Sequence, residues 1–243
     1  MKALLALLMI GLAVTGAQAQ PTTVGAGDDV IAVVLGKKIT AKDKDRLDGK
    51  ILWTLLDKFA EDHRIAVTEQ EVDTVIRRIK DIEQQRLRQL EQHRKNLMAQ
   101  LQAGTLSAQD RQKKEAELAN FDDILREVDK STRYIQRMED QLRETQRRTA
   151  RQFVRQWKIN KALYAKYGGR VAFQQSGPEP IDAYRDFLKE QQRAGAFRIL
   201  DPKYDPPFWR YFTNDAIHKF YEGDDGARYI NTPWWMMEEP AKK

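Results

Sequence analysis

The chain has 243 residues, 41% of them hydrophobic and 32% charged, with 42 Lys and Arg against 36 Asp and Glu for a formal net charge of +6. It contains no cysteine, which excludes disulfides, thiol chemistry and a lipid-modified N-terminal cysteine. A chain of this length supports one sizeable domain or two small ones.

Residues 1–19 read as a cleaved secretory signal: Lys2 supplies the positive start, Ala3 to Val14 an apolar run, and Ala17-Gln18-Ala19 the small residues of a cleavage site. The alternative is an uncleaved anchor, but the run falls short of the about 20 residues that a membrane span needs. The expected compartment is the periplasm, with cleavage after Ala19 and no stable membrane insertion. Val30 to Leu35 is a short apolar, β-branched run that stops at Gly36, the pattern of a buried strand and turn. Thr40 is placed to cap a helix, with Asp43 at its third position. Leu47, Ile51, Leu52, Leu55, Leu56 and Phe59 then recur at helical spacing on one face, and the helix should end near His63-Arg64.

Thr68-Glu69-Gln70-Glu71 is a capping box, with Val67 and Val72 at the positions of a hydrophobic staple. From Thr22 to Gly177 there is no proline, and between Gly49 and Gly168 the only glycine is Gly104. Proline costs ~3 kcal/mol and glycine ~1 kcal/mol inside a helix, so this span predicts two long helices joined at Gly104. The outgoing helix should run to Gln102, carrying Leu97, Met98 and Leu101 near its end, and span about 50 Å. Ser107 with Asp110 starts the return helix. Its stripe of Phe121, Ile124, Val128, Ile135, Met138 and Leu142 is close to a heptad rhythm, and Asp129-Lys130-Ser131 is a candidate break. The outgoing helix should pair with roughly the first 34 residues of the return, leaving Phe153, Val154, Trp157, Ile159, Leu163 and Tyr164 to re-enter the body.

Gly168 should end that helix, Arg170 to Gln175 reads as a strand, and Gly177-Pro178-Glu179-Pro180 as a turn before a helix carrying Ile181, Tyr184, Phe187 and Leu188. Gly195 stops it, and Phe197 to Leu200 is a further strand candidate. Residues 201–243 hold ten aromatic residues, Trp209, Trp234 and Trp235 among them, together with Pro202, Pro206, Pro207 and Pro233. That segment is expected to wrap the body irregularly, or to form a peptide-binding rim, since amphipathic rings serve both roles.

Charge is unevenly placed. Residues 77–158 carry 20 Lys/Arg and 13 Asp/Glu, whereas residues 20–76 carry 8 and 11. The helical arm is therefore basic, either as a solvated face or as a surface for acidic polymers. Nucleic acid is not an expected partner, because stacking aromatics are scarce along the arm. His63, His93 and His218 have no metal-ligand spacing, and no nucleophile elbow, phosphate loop or zinc signature occurs. No catalytic residue, cofactor or metal is expected.

Two stretches resemble the N-terminal domain of the SurA and parvulin-isomerase chaperones. One is Val30-Ile31-Ala32-Val33-Val34-Leu35-Gly36-Lys37-Lys38-Ile39-Thr40, in which Leu35 replaces the usual asparagine. The other is Asp62-His63-Arg64-Ile65-Ala66-Val67-Thr68-Glu69-Gln70-Glu71-Val72-Asp73. Phe153-Val154-Arg155-Gln156-Trp157-Lys158-Ile159 is similar to that family's returning helix. The arm is longer than the family's helical connection, and no parvulin domain is apparent, so isomerase activity is not implied. The resemblance implies a periplasmic holdase for unfolded or extended envelope polypeptides. The alternative is a structural or adaptor subunit of an envelope complex, with the hairpin as a coiled-coil docking element or homodimer seam.

The expected fold is mostly α: a SurA-type helical body with two or three short strands from 20–76 and 150–200, a basic hairpin arm over 77–149, and an aromatic and proline-rich extension over 201–243 packed on the body. Leu97, Met98, Leu101, Phe121, Trp209, Trp234 and Trp235 are the candidate contacts for a client or partner.

Overall fold

In the computed structural model, residues 29–174 and 177–237 are described; the expected signal sequence and cleavage site over 1–19 lie outside the described residues. Strand β1 (Val30–Val34) turns through Leu35-Gly36 into β2 (Lys37–Thr40), and a 3₁₀ turn (Ala41–Arg46) leads to helix α1 (Leu47–Asp62). Two long helices follow, α2 (Glu69–Gln102) and α3 (Ala108–Arg137), and then α4 (Glu139–Tyr167). After β3 (Val171–Gln174) and β4 (Gly177–Glu179) come α5 (Ile181–Arg193) and β5 (Phe197–Ile199). Helix α6 (Asp205–Thr213), strand β6 (Phe220–Tyr221) and helix α7 (Gly223–Asn231) complete the chain. The class is mostly α. Among the described residues six short strands form two antiparallel sheets, ordered β2-β1-β5 and β4-β3-β6, where two or three strands were expected.

The main core forms because every apolar position of the α1 stripe is buried, from Leu47 to Phe59. It packs on Ile31, Ala32 and Val34 of β1, on Ile159 and Leu163 of α4, and on Tyr184, Phe187 and Leu188 of α5. Phe208 and Phe212 of α6 join the same cluster, so the C-terminal segment is part of the body's interior. That segment is less irregular than its prolines suggested. Pro206 and Pro207 stand in the first turn of α6, where a missing N–H costs nothing. Likewise Gly177-Pro178-Glu179 is an edge strand, since proline is tolerated where no ladder bond is needed.

Two buried polar groups are fully partnered. Asn160 donates to the Pro178 carbonyl at 2.9 Å and accepts from the Tyr184 hydroxyl at 2.5 Å. Burial pushes the Tyr184 hydroxyl well above the usual tyrosine range. Asp182 accepts from the Arg170 backbone N–H and Nε, both at 2.8 Å, and from Arg185 Nη1 at 2.8 Å. Arg170 also grips Asp215 at 2.7 and 2.9 Å and lies over the Phe220 ring at 4.0 Å. One guanidinium thus ties the end of α4 to α5 and to the C-terminal segment. Burial raises the Asp182 carboxyl, but the hydrogen bonds and charges of Arg170 and Arg185 outweigh it and hold the group below the ordinary aspartate range.

Several local expectations change. Thr40 stands before the 3₁₀ turn without making a capping bond, and Asp43 instead pairs with Lys50 at 2.6 Å. Asp129-Lys130-Ser131 is unbroken helix, since Lys130 and Arg133 pair with Glu127 and Asp129 one turn away. The break falls at Met138 (φ −103°, ψ 13°), whose N–H is shared between the Tyr134 and Ile135 carbonyls.

Two side chains sit where glycine or asparagine is favoured. Arg64 (φ 52°) occupies the left-handed position after α1. Its N–H reaches the Glu61 carbonyl, and the Ile65 N–H reaches that of Ala60, the bonds of a Schellman ending. Leu35 (φ 46°) and Gly36 (φ 77°) form the two-residue loop between β1 and β2, which needs positive φ at both positions. A left-handed leucine costs about 1–2 kcal/mol, so leucine at position 35 is energetically adverse relative to asparagine. Leu35→Asn should raise stability by about 1 kcal/mol, read as a higher urea midpoint with an unchanged slope.

A second expectation follows from Asp182. Its depressed folded pKa contributes stability that is complete above the unfolded value near ~4 and is lost as pH falls from there through the folded value. Asp182→Asn should therefore flatten the acid limb of stability against pH; an unaltered limb would place the acid sensitivity elsewhere.

Candidate functional site, the arm and its base

Helix α2 starts at the predicted capping box: the Glu71 N–H reaches the Thr68 hydroxyl, and the Glu71 carboxylate accepts from the Thr68 N–H at 2.8 Å. It runs 34 residues to Gln102, about 50 Å. Gly104 takes φ 72°, and Ser107 caps α3 by accepting the Asp110 N–H at 3.1 Å. Helix α3 packs on α2 and on α4 and makes no comparable contact with the body, so the hairpin stands away from it as an arm.

Polar pairs fix the register along the arm. The Arg111 guanidinium reaches the Leu101 carbonyl at 3.1 Å, Arg94 meets Asp122 at 2.5 Å, and His93 meets Glu117 at 3.1 Å. At the other end Glu69, the first residue of α2, binds both Arg147 and Arg151, and Asp73 binds Arg147 at 2.7 Å. Glu69 thus meets the return at Arg147 and Arg151, past the roughly 34 residues expected from a uniform helical rise, although from the Arg94–Asp122 pair to the Glu69–Arg147 pair the two sides advance equally. The departure at Met138 lies within this stretch. Hydrogen bonds from Arg147 and Arg151 hold the Glu69 carboxyl below the usual glutamate range.

Apolar packing at the base is small and specific. Val72 and Val75 of α2 meet Ala150 and Val154 of α4, and Trp235 closes the cluster at 4% exposure. Trp235 belongs to a 3₁₀ turn (Trp234–Met236) after α7. Its carbonyl accepts from Arg78 Nε at 3.1 Å, and the Trp157 indole donates to the Ile230 carbonyl at 2.8 Å. Trp234 stands edge-on to Phe153 at 5.3 Å, and its ring leaves no room for a Cβ at Gly177, which would lie 2.8 Å from it. The C-terminal segment is thus a strap that clamps the arm's root to the body.

The candidate contact residues separate on this geometry. Leu97 is buried in the seam at 3% exposure and Trp235 in the base cluster, so both are internal packing residues with no surface to offer a client. Leu101, Met98 and Phe121 are half-buried along the hairpin, and Phe121 lies 4.7 Å from the His93 ring. Trp209 is half-buried against the main core, 4.9 Å from Phe208, and Trp234 against Phe153. No single site gathers all seven. Of the near-heptad stripe, Phe121, Ile124, Val128, Met138 and Leu142 are half-buried, whereas Ile135 is exposed beside Tyr134.

The histidines make structural contacts. His63 stacks on Phe59 at 3.9 Å, His93 spans the hairpin, and His218 lies 2.7 Å from the Tyr211 carbonyl and 3.1 Å from the Gln174 amide. Asp215 is engaged by Arg170, not by His218. Among the described residues no group of three His, Asp or Glu side chains could hold a metal ion, and no helix is long and apolar enough to cross a membrane.

One residue escaped the sequence reading. Trp53 lies at the flank of the buried stripe of α1 and is 46% exposed. It borders a groove of about 600 Å³ between α1 and the β1–β2 hairpin, shared with Lys37, Lys38, Ile39 and Asp57. Its place at the flank of the helix's apolar face was the available signal, because a tryptophan is seldom left in water without a use.

Trp235→Ala should destabilise the fold by about 3–5 kcal/mol, the cost of emptying a buried aromatic site. Hydrogen exchange should then quicken first over 69–80 and 147–157. Comparison of the chain with family models, with curated proteins and with solved structures gives no match.

Proposed function

We propose that this chain is a non-catalytic, chaperone-like protein of the periplasm that holds unfolded or extended envelope polypeptides between its arm and body. The observation that carries this reading is the arm itself. A helical hairpin about 50 Å long is anchored at one end by a dedicated strap and makes no comparable body contact beyond it. Such a rod adds little to the body's stability, yet it presents a long surface. Its outer face on α2 carries the exposed cations Arg77, Lys80, Arg88 and Lys95, which suit acidic extended chains. The resemblance of residues 30–40 and 62–73 to the SurA N-terminal domain supports the same reading.

A second reading, a docking subunit of an envelope complex, draws on one feature. Tyr134 and Ile135, at 46% and 45% exposure beside the Met138 break, are apolar surface that a partner helix would cover.

The register supplies a clean test. Because Asp73 and Arg147 face each other near the root, residues 84–136 can be excised and the ends joined by a glycine-containing turn without disturbing the base. The shortened protein should keep its melting temperature within a few degrees yet lose most of its suppression of aggregation of an unfolded outer-membrane protein. Undiminished suppression would remove the arm from the mechanism. Capture of a single stoichiometric partner through Tyr134 would favour the docking reading.

A further inference from the structure

The groove beside Trp53 brings together features that are costly for a protein that only has to fold. Leu35 is a large apolar residue held in a left-handed conformation and left 39% exposed. It lies in the chain between Val34 and Lys37, both of which line the groove. Strand β2 is the edge of its sheet and pairs only with β1 among the described residues. Across the groove stands Trp53, exposed on a helix whose other large apolar residues are buried. A strained backbone, a free strand edge and an exposed aromatic side chain at one place point to a docking site.

Charge decides among the occupants. Lys37 and Lys38 are consecutive, exposed and without a carboxylate partner among the described residues. Two copies of β2 laid edge to edge would set these lysines against one another, which disfavours pairing of the chain with itself. The same lysines favour an incoming strand that carries acidic side chains. Asp57, on the far wall, is already held by Arg155 at 2.6 Å and Lys50 by Asp43 at 2.6 Å. Asp45, Arg46 and Asp48 also line the groove, so the positive charge that favours an acidic strand is the lysine pair of the β2 edge and not the groove as a whole.

We infer that this groove receives an extended, acidic and apolar polypeptide segment, which adds as a strand to the free edge of β2 and lays an apolar side chain on Trp53. Backbone hydrogen bonding supplies affinity without demanding one sequence; Trp53 and Leu35 favour apolar side chains, while Lys37 and Lys38, on opposite faces of β2, each favour an acidic one. This inference rests on the polypeptide-holding reading and gives it a location on the body, separate from the arm.

The test uses the whole mature protein and a fluorescein-labelled peptide of alternating valine and aspartate, with binding followed by anisotropy. Trp53→Ala should weaken binding about tenfold. Leu35→Asn should also weaken it although that variant is the more stable protein, a combination that general damage to the fold would not produce. Methylating alternate peptide nitrogens should abolish binding with no change to the protein, because strand addition needs those N–H groups. Exchanging both Lys37 and Lys38 for glutamate should transfer preference to a valine–lysine peptide.

If Trp53→Ala and the methylated peptide bind as tightly as their parents, the groove is not the site. Aggregation suppression that persists in Trp53→Ala would then leave the holding function to the arm. A wild-type protein that neither binds the peptide nor suppresses aggregation overturns both proposals. A dimer that dissociates on Trp53→Ala would show a second copy in the groove and overturn this one.

Discussion

A two-helix rod cannot bury enough surface to hold itself in place, and this constraint governs the molecule. Along the distal arm only Leu97 is fully buried among the described residues; the remainder of the seam is half-exposed and laced with ion pairs worth a few tenths of a kcal/mol each. The arm is held to the rest at its root, where Val72, Val75, Ala150 and Val154 lie under Trp235. That closing residue comes from the end of the chain. The last described segment therefore does work that the helices alone cannot, and it does so through packed rings and through the carbonyls of Ile230 and Trp235, which accept from the Trp157 indole and from Arg78.

The body answers a different requirement. Its core is continuous from the β1 sheet through α1 to α5 and α6, and its buried polar groups are all partnered among the described residues. Arg170 is central to that order, joining three elements through Asp182, Asp215 and Phe220. Against so well satisfied an interior, the strained Leu35 and exposed Trp53 stand out as departures that folding does not require. A protein evolved only for stability would place asparagine at position 35 and a polar residue at position 53.

Much of the architecture was legible because it was written in local chemistry. The Thr68–Glu71 box, the Gly104 turn, the Ser107 cap and the α1 stripe each state a boundary within a few residues, and each is where the spacing put it. The break at Met138 was not legible, since neither glycine nor proline marks it in the sequence. Nor could composition separate Leu97 and Trp235, which are buried, from Met98 and Trp234, which are partly open. Similar side chains at similar spacing differ only in what the rest of the chain lays against them. Trp53 was the opposite case: helical phase alone set it at the flank of the α1 stripe.

On the proposed holding function, many unrelated unfolded chains, and no single fixed partner, would occupy the space beside the arm. A photo-crosslinking residue at Lys95, exposed on the outer face of α2 near the tip, tests it in intact cells. The account predicts a broad ladder of adducts with envelope polypeptides that grows when their assembly is blocked. One sharp adduct of constant yield, or none, would contradict it.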